Sequence, residues 1–220
     1  MKTFFDEVRK NIAGGRLTPG QVGGLDALLA ATQGLDVRHR AYLLATAWHE
    51  TAFTMQPIIE RGSRRYFDKY EPGTRIGRDL GNTRSGDGFL YRGRGYVQIT
   101  GRRNYLRASQ ELENDFVSYP DRALNPALAA KILVVGCTEG WFTGKKLSDY
   151  PDYVNMRRVV NGTDKAEQIA RYAYEFERAL LVQKPEVIVT VAPTTPIVPP
   201  TTLPPSFLDK LKSIFNTFKV

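Results

Sequence analysis

Apolar residues recur at helical spacing along the N-terminal part of the chain, and turn or capping residues separate the stretches. Residues 2–12 and 21–32 predict two helices, because glycine and proline interrupt the apolar pattern between them. Asp36 is an N-cap candidate for a third helix, which is predicted to end within residues 50–53. The apolar face of this helix holds Val37, Ala41, Leu44 and Trp48.

Two more helices are predicted in the second half of the chain. Asn125 followed by Pro126 is a typical start, with asparagine as the cap and proline at the first helical position. This helix is predicted to reach Phe142. Asp164 and Glu167 resemble a capping pair at the start of the last helix. The apolar face of that helix holds Ile169, Ala170, Ala173, Phe176 and Leu180.

Residues 57–101 are rich in glycine and show little helical periodicity. We expect loops with at most a small β-hairpin here. Functional groups tend to lie on loops that rigid elements hold in place, so this segment is the predicted wall of a cleft. The fold class predicted from these patterns is mainly α, with two helical clusters around a groove.

The composition changes after Gln183, where seven of the thirteen prolines lie between Pro185 and Pro205. The pattern predicts a folded domain over residues 1–182, an extended proline- and threonine-rich linker over 183–205, and a short basic amphipathic helix over 206–220. A tethered helix of this kind suggests binding to an anionic membrane surface or to lipopolysaccharide. Docking on the domain, or pairing with another chain, is the alternative.

Positive charge is concentrated in one part of the sequence. The 220 residues carry a net charge of +8, and 42% of them are hydrophobic, which is typical of a globular protein. Residues 57–107 hold eleven arginines and one lysine against five acidic residues. Such a surface attracts polyanions, including wall polymers and nucleic acid. Residues 1–7 start no apolar run long enough for a signal peptide, so we expect synthesis in a cytoplasm.

Cysteine and histidine are too few for several kinds of site. Cys137 is the single cysteine, which excludes an intrachain disulfide, and its apolar surroundings favour a buried small hydrophobe over a nucleophile. His39 and His49 form no His-Glu-x-x-His zinc motif. Gly93 and Gly95 lack the third glycine and the preceding strand of a dinucleotide-binding loop. No metal or other cofactor is therefore expected.

Two glutamates carry the candidate chemistry. Glu50 lies at the predicted end of the third helix, and Glu60 lies in the arginine- and glycine-rich segment that follows. Two carboxylates that face one cleft are what hydrolysis of a glycosidic bond needs, because one protonates the leaving oxygen while the other activates water or attacks the sugar. Glu71, which precedes a Pro-Gly turn, is a rival for the second role.

Four short motifs follow one another along the chain. They are His-Glu-Thr at residues 49–51, Glu-Arg-Gly at 60–62, Gly-Arg-Gly-Tyr-Val-Gln-Ile-Thr-Gly-x-x-Asn-Tyr at 93–105, and Val-Asn-Gly at 160–162. Together they resemble glycoside hydrolase family 19, the chitinase-like family whose bacteriophage members are endolysins. The resemblance covers about residues 41–180 and implies a lysozyme-like, two-lobed helical domain with a substrate groove. Plant members carry disulfides, so the single cysteine favours a microbial or phage form.

The resemblance and the chemistry together suggest catalytic roles. Glu50 is the expected general acid, with the apolar side chains of Trp48 and Phe53 as neighbours that favour its protonated form. Glu60 is the expected general base that holds the attacking water, and the Thr100 hydroxyl is the expected partner of that water. The resemblance implies inversion at the anomeric carbon, for which the two carboxyl groups stand roughly 6.5–9.5 Å apart.

Substrate-binding candidates come from the same motifs. The amides of Gln98 and Asn104 suit the hydroxyl and N-acetyl groups of amino sugars. The resemblance implies a substrate-binding role for Asn161, which otherwise forms a turn, and places Arg171 near the catalytic glutamate, although a surface arginine is the competing interpretation. Three tyrosines are candidates for stacking on sugar faces or for the core: Tyr91, Tyr96 and Tyr105.

The function predicted from the sequence is that of a phage-type endolysin, which hydrolyses the β-1,4 glycan of peptidoglycan without a cofactor and causes host lysis. We expect a monomer without a nucleic-acid partner that reaches the periplasmic wall after release, for which the resemblance implies a holin. Ala52-Phe53 follows the first motif where the family often has Thr or Gly, and the segment between Glu50 and Glu60 is shorter than in plant chitinases. Both departures favour a bacterial-wall substrate. The alternatives are a chitinase, a lytic transglycosylase with one catalytic acid, and a non-catalytic binder of wall polymer or another polyanion.

Overall fold

A computed structural model describes residues 3–182, which form a mainly helical fold. The α-helices are α1 (Phe4–Asn11), α2 (Pro19–Ala31), α3 (Val37–Glu50), α4 (Arg75–Asp79), α5 (Asp87–Leu90), α6 (Arg102–Glu111), α7 (Pro126–Glu139), α8 (Tyr153–Met156) and α9 (Ala166–Val182). The 3-10 helices are Arg64–Tyr70, Pro120–Leu124, Leu147–Asp149 and Arg157–Val159. The predicted linker at 183–205 and the predicted helix at 206–220 lie outside the described residues.

Two short strands form a small antiparallel sheet. In it β1 (Ile58–Ile59) pairs with β2 (Arg94–Gly95), and Ile58 lies opposite Gly95. The predicted fold class, mainly α with at most a small hairpin, is confirmed. The prediction that residues 57–101 are otherwise loops is wrong, because α4, α5 and the 3-10 helix Arg64–Tyr70 lie in this segment. These helices are too short for apolar periodicity to reveal them, and two of them begin at side-chain caps, Ser63 and Thr74.

Capping residues set most of the helix boundaries. Asp36 caps α3, and Asn125 caps α7 with Pro126 at its first position, as predicted. Helix α7 ends at Glu139 rather than Phe142, because Gly140 adopts the left-handed conformation (φ 73°) that terminates a helix. The predicted cap at Asp164 is wrong. Lys165 has a φ of 58° and cannot be the first residue of a helix, so α9 begins at Ala166.

The core lies between α3 and α9, with α1, α2 and α7 packed around them. The predicted apolar face of α9 is confirmed, because each of its five residues is buried. A second buried cluster joins α6, α7 and the 3-10 helix Pro120–Leu124. It comprises Tyr91, Ile99, Tyr105, Ala108, Phe116, Ala123 and Ile132. Helix α7 contributes to both clusters and therefore connects them.

Cys137 lies on α7 in the first cluster, and its side chain is fully buried. Burial raises the pKa of this thiol far above its usual range, so the cysteine is a small apolar core residue, as predicted. Within residues 3–182, no helix has the length and apolar character needed to cross a membrane.

Candidate active site

Glu50 is the last residue of α3, and a buried arginine holds its carboxylate. Arg157 Nη1 lies 2.5 Å from Glu50 Oε1, and the Arg157 side chain is 3% exposed against 26% for Glu50. Arg157 Nε also donates to the Asp164 carbonyl at 3.0 Å, which fixes the plane of the guanidinium. A charge-assisted contact of this kind gives the Glu50 carboxylate one orientation.

Trp48, one of the two apolar neighbours expected for Glu50, belongs instead to the core, and Phe53 is exposed. Trp48 is 3% exposed, and its ring packs against Phe53 at 5.7 Å and against Phe176 at 6.3 Å between centroids. Residues two apart on a helix do not share a face, so Trp48 points away from the Glu50 carboxylate. The partner of Glu50 is therefore charged, and the predicted apolar environment is wrong in that respect.

A strained loop connects Glu50 to β1 and Glu60. Ala52, Phe53 and Met55 have φ values of 49°, 69° and 55°, which non-glycine residues rarely adopt. The neighbouring elements hold this loop, since Gln21 Nε2 donates to the Phe53 carbonyl at 2.9 Å and Tyr96 Oη donates to the Met55 carbonyl at 3.3 Å. Such strain persists only where the surroundings determine the conformation, and it is common next to functional residues.

Helix α2 approaches this loop at a glycine. A Cβ atom on Gly24 would lie 1.8 Å from the Met55 carbonyl oxygen, so only glycine permits this contact. We call residues 51–56 the connecting loop. The position of this loop is fixed by α2 on one side and by the Tyr96 hydroxyl on the other. The loop in turn sets the position of Glu60 relative to Glu50.

Glu60 follows β1, and several donors surround its carboxylate. The hydroxyls of Tyr66 and Tyr70 donate to Glu60 Oε1 at 3.1 and 3.0 Å. The Gly93 amide donates to Oε2 at 3.1 Å, while the Glu60 amide donates to the Gly93 carbonyl at 2.8 Å. Lys69 Nζ lies 3.9 Å from Oε1. Glu60 is therefore fixed both by the small sheet and by the 3-10 helix Arg64–Tyr70.

Gln98 and Glu60 both approach Gly93 at the position that a Cβ atom would occupy. A Cβ atom on Gly93 would lie 2.8 Å from Gln98 Oε1 and 3.3 Å from Glu60 Cβ, so the glycine allows both side chains to approach. Gln98 has a φ of 57°, and its Nε2 donates to the Ile58 carbonyl at 2.8 Å and to the Gly95 carbonyl at 3.1 Å. The amide nitrogen thus supports the hairpin, while Oε1 lies against Gly93.

Thr100 and Asn104 complete this part of the site. Thr100 Oγ1 donates to the Gln98 carbonyl at 2.9 Å, so the hydroxyl oxygen keeps its lone pairs as acceptors. Asn104 Nδ2 donates to the Thr100 carbonyl at 2.7 Å and thereby supports the Thr100 backbone. The expected roles of Gln98, Thr100 and Asn104 toward substrate stay predictions.

Glu71, the rival candidate for the general base, uses its carboxylate to hold backbone amides. Its Oε2 accepts from the Gly86 amide at 2.8 Å and its Oε1 accepts from the Gly88 amide at 3.1 Å. These bonds tie α5 to the end of the 3-10 helix Arg64–Tyr70. Both oxygens of Glu71 therefore hold backbone, which favours Glu60 for the catalytic role.

Asn161 and Arg171 line cavities in a different segment, residues 142–172. One cavity of about 460 Å³ is lined by Lys165, Gln168, Arg171 and Tyr172. A second, of about 390 Å³, shares Lys165 and Gln168 with it and also has Arg158 and Glu167 in its wall. A third, of about 430 Å³, shares Arg158 and adds Lys145 and Asn161. Because neighbouring cavities share wall residues, they adjoin one another, and we call them the basic cavity row.

The arginine that contacts Glu50 is Arg157, a residue that the sequence motifs do not single out. Arg171 has an exposed side chain on α9, where it lines the basic cavity row. Asn161 is exposed, it lies in a bend of the chain, and its Oδ1 accepts from the Gly162 amide at 2.8 Å. Binding of substrate by Asn161 and Arg171 stays a prediction.

The proposed stacking of tyrosines on sugar is wrong for the three tyrosines named. Tyr96 and Tyr105 are fully buried, and Tyr91 is 2% exposed. Burial raises the pKa of Tyr96 to about 12, in keeping with a phenol in the core. The Tyr96 ring lies in the first cluster, and its hydroxyl donates to the connecting loop. Tyr96 therefore supports the site from the core.

Sequence reasoning missed the residues that hold the two glutamates. Arg157 carried no signal except its closeness to the Val-Asn-Gly motif. Tyr66, Lys69 and Tyr70 recur at i, i+3 and i+4, a helical spacing that is visible once the segment is considered as a helix. Within residues 3–182, no group of three or more His, Cys, Asp or Glu side chains is placed to hold a metal ion.

Solved structures match this arrangement of elements. Chitinase C from Streptomyces griseus HUT6037 superposes with a TM-score of 0.57 at 18% identity, over 79% of this chain and 74% of that chain. A mutant of chitinase C gives 0.54 at 20% identity, over 80% and 90%. The chain has the fold of family 19 chitinases. A bacterial family 19 chitinase gives 0.52 at 21% identity, over 72% of this chain and 85% of that one. No protein-family model and no curated protein sequence matches the chain.

Proposed function

We propose that this chain is a glycoside hydrolase of family 19 that cuts β-1,4 bonds in the glycan strands of bacterial peptidoglycan. The observation that carries the proposal is the pair Glu50 and Glu60, which lie on either side of the connecting loop and of β1 and are each oriented by their own donors. A fixed pair of carboxyl groups supplies the acid and the base that glycosidic hydrolysis requires.

In this proposal Glu50 is the general acid. It donates its proton to the leaving glycosidic oxygen as the bond to the anomeric carbon breaks. Arg157 then stabilises the carboxylate that remains, because its guanidinium already lies 2.5 Å from Oε1. A cation that already lies where negative charge develops lowers the activation barrier, because the protein does not have to reorganise during the reaction.

Glu60 is the general base. It takes one proton from a water whose oxygen attacks the anomeric carbon on the opposite face, so the configuration inverts. The Thr100 hydroxyl oxygen accepts a hydrogen bond from the other O–H of this water, which stays on the product, since the Thr100 hydroxyl already donates its own hydrogen to the Gln98 carbonyl. The roughly 6.5–9.5 Å carboxyl separation typical of inversion stays a prediction.

Charge favours peptidoglycan as the substrate. Peptidoglycan carries carboxylates on its lactyl groups and stem peptides, whereas chitin is neutral. Lys145, Arg158, Lys165 and Arg171 line the basic cavity row, and they form no salt bridge within the described part of the chain. Unpaired cations next to the segment that holds Arg157 attract an anionic glycan more than a neutral one.

Chitin is the second candidate substrate, because the matching solved structures are described as chitinases. On the peptidoglycan proposal, the chain acts as an endolysin of bacteriophage type. It is then made in a bacterial host and lyses that host when it reaches the wall.

Mass spectrometry of digested peptidoglycan tests the proposal. Wild type is expected to release muropeptides with new reducing ends, and the terminal sugar identifies the linkage that is cut. Glu50→Gln and Glu60→Gln are expected to lose about 100-fold or more of this activity, the usual contribution of a general acid or base. Glu71→Gln is the matched control and is expected to retain activity in proportion to its folded fraction.

Three outcomes contradict the proposal in different ways. Anhydro products indicate a transglycosylase that needs one acid. Cleavage of chitin oligomers, without cleavage of peptidoglycan, identifies chitin as the substrate. Intact glycan in both assays, together with tight binding, indicates a wall-binding protein without turnover.

A further inference from the structure

The two carboxylate oxygens of Glu60 have different surroundings. Oε1 accepts from two phenol hydroxyls, Tyr66 at 3.1 Å and Tyr70 at 3.0 Å, and it faces the Lys69 ammonium at 3.9 Å. Oε2 accepts from one backbone amide, that of Gly93, at 3.1 Å. Since each carboxylate oxygen has about two acceptor positions, Oε1 is fully occupied and Oε2 has one position left.

The donors on Oε1 belong to one rigid element. Tyr66, Lys69 and Tyr70 lie on the 3-10 helix Arg64–Tyr70, which begins at Ser63 through a bond from the Tyr66 amide to Ser63 Oγ. The opposite side of this helix is anchored by Phe67, which is 1% exposed and packs edge-on against Phe89 at 5.5 Å. The helix therefore presents its donors to Glu60 from a fixed position.

Lys69 joins the two tyrosines. Its ammonium lies 3.6 Å from the Tyr66 ring centroid and 4.6 Å from the Tyr70 ring centroid, which are cation–π distances. Interaction with the Tyr66 side chain raises the pKa of Lys69, so the ammonium keeps its charge. Burial raises the pKa of Tyr70, so its hydroxyl keeps the proton that it donates. We call Tyr66, Lys69 and Tyr70 the Glu60 clamp.

We infer that the Glu60 clamp is a positioning device that immobilises Oε1 and thereby leaves Oε2 as the oxygen that binds and deprotonates the attacking water. The inference rests on the proposed function. Water donates one proton to Oε2 as its oxygen bonds to the anomeric carbon, the glycosidic bond breaks, and the leaving oxygen takes the proton of Glu50. The clamp residues exchange no proton in this step, and they act only through Glu60.

Kinetics of clamp variants test the inference on the glycan that wild type cleaves. Tyr66→Phe/Tyr70→Phe removes both donors from Oε1 and keeps the rings. Its kcat is expected to fall by about 10- to 100-fold, because a base that is misplaced by a fraction of a bond length loses alignment, whereas KM is expected to stay within about 2-fold. The acid limb of the pH–rate profile is expected to move to higher pH, because the variant loses two hydrogen bonds that favour the ionised form of the carboxylate.

Two matched comparisons separate positioning from folding. Lys69→Met is expected to lower kcat and Lys69→Arg to restore most of it, because arginine keeps a cation over the rings. Tyr119→Phe, at an exposed tyrosine, is the control and is expected to leave both kcat and the pH profile unchanged. Rates are expressed per folded molecule, with the folded fraction measured by circular dichroism.

Each outcome has a distinct meaning. A double variant with wild-type kcat and an unshifted acid limb overturns the inference while the proposed function stands. A parallel loss of kcat and folded fraction, with an unshifted limb, assigns the clamp a structural role and also overturns it. A wild-type chain that cleaves neither peptidoglycan nor chitin overturns the proposed function, and the inference with it.

Discussion

Arg157 and Glu50 are 107 positions apart in the chain, yet Arg157 Nη1 contacts Glu50 Oε1 at 2.5 Å. The arginine is nearly inaccessible and the glutamate is partly accessible. The fold therefore provides the positive charge from a buried side chain and leaves the Glu50 carboxyl group partly accessible, as the proposed role of proton donor requires.

The first prediction concerns this pair. Arg157→Met is expected to lower kcat by about 10- to 100-fold, because the carboxylate that forms after proton donation loses its stabilising charge. Unfolding by urea is expected to show a loss of about 1–3 kcal/mol, the usual effect of removing a hydrogen bond to a charged group. Arg158→Met, at the exposed neighbouring arginine, is the control for stability.

A double-mutant cycle distinguishes a shared role from two separate ones. If Arg157 acts through Glu50, then adding Arg157→Met to Glu50→Gln is expected to cost little further activity. Fully additive losses, or an Arg157→Met variant with wild-type kcat, contradict this prediction.

The second prediction concerns the approach of α2 to the connecting loop. Gly24→Ala is expected to destabilise the fold by about 1–3 kcal/mol or more, because its Cβ atom would overlap the Met55 carbonyl oxygen and force the backbones apart. Gly23→Ala, one residue earlier on the same helix, meets nothing within 4 Å. It is expected to stabilise the helix by about 0.5–1 kcal/mol. Thermal unfolding of both variants is the measurement, and equal shifts contradict the prediction.

The third prediction concerns substrate choice. Lys165→Gln/Arg171→Gln removes two cations from the basic cavity row and is expected to lower kcat/KM on peptidoglycan by about 3- to 30-fold through weaker attraction of the anionic glycan. Activity on chitin oligomers is expected to change by less than about 2-fold, since that polymer is neutral.

Lys131→Gln, at an exposed lysine on α7, removes one positive charge outside the basic cavity row and is the control for Lys165→Gln alone. The effect on peptidoglycan is expected to shrink as salt is raised, because exposed charges are screened. Equal losses on both polymers indicate that the row binds sugar rather than carboxylate, and so contradict the prediction.

The fourth prediction concerns acid stability. Asp87 is 2% exposed and accepts two bonds from Arg102, at 2.8 Å from Nε and 2.6 Å from Nη2. Burial alone would raise the pKa of Asp87, but bonds from Arg102 and from the Arg84 and Thr83 amides outweigh it, so the pKa is lowered. A lowered pKa in the folded state means that the pair stabilises the fold above the ordinary aspartate value, and this contribution is lost as pH falls through the folded value.

Urea unfolding across pH measures the effect. The wild-type free energy of unfolding is expected to decline as pH falls below about 3.9, the ordinary pKa of aspartate. Asp87→Asn is expected to be less stable at neutral pH by about 1–3 kcal/mol and to lose less stability on acidification. The same acid dependence in the variant and in wild type contradicts the assignment.

Local sequence determined the elements whose signals lie within a few residues. Asp36 and Asn125 start their helices because a short polar side chain caps the free amides next to it, and that needs no distant partner. The apolar face of α9 was readable because helical periodicity places its residues together before any packing occurs. Motif spacing likewise made the two glutamates candidates for catalysis, and this assignment stays a prediction.

Tertiary structure alone decided what surrounds those glutamates. Arg157 lies on the 3-10 helix Arg157–Val159 and meets Glu50 at the end of α3, a contact between distant segments that no local pattern encodes. Tyr96 lies in the core, where its hydroxyl donates to a carbonyl of the connecting loop. Apolar periodicity cannot predict this contact, because the loop is distant from Tyr96 in the sequence. Propensity and capping act over one helical turn, whereas the orientation of a carboxylate is fixed by groups that only the packed chain brings together.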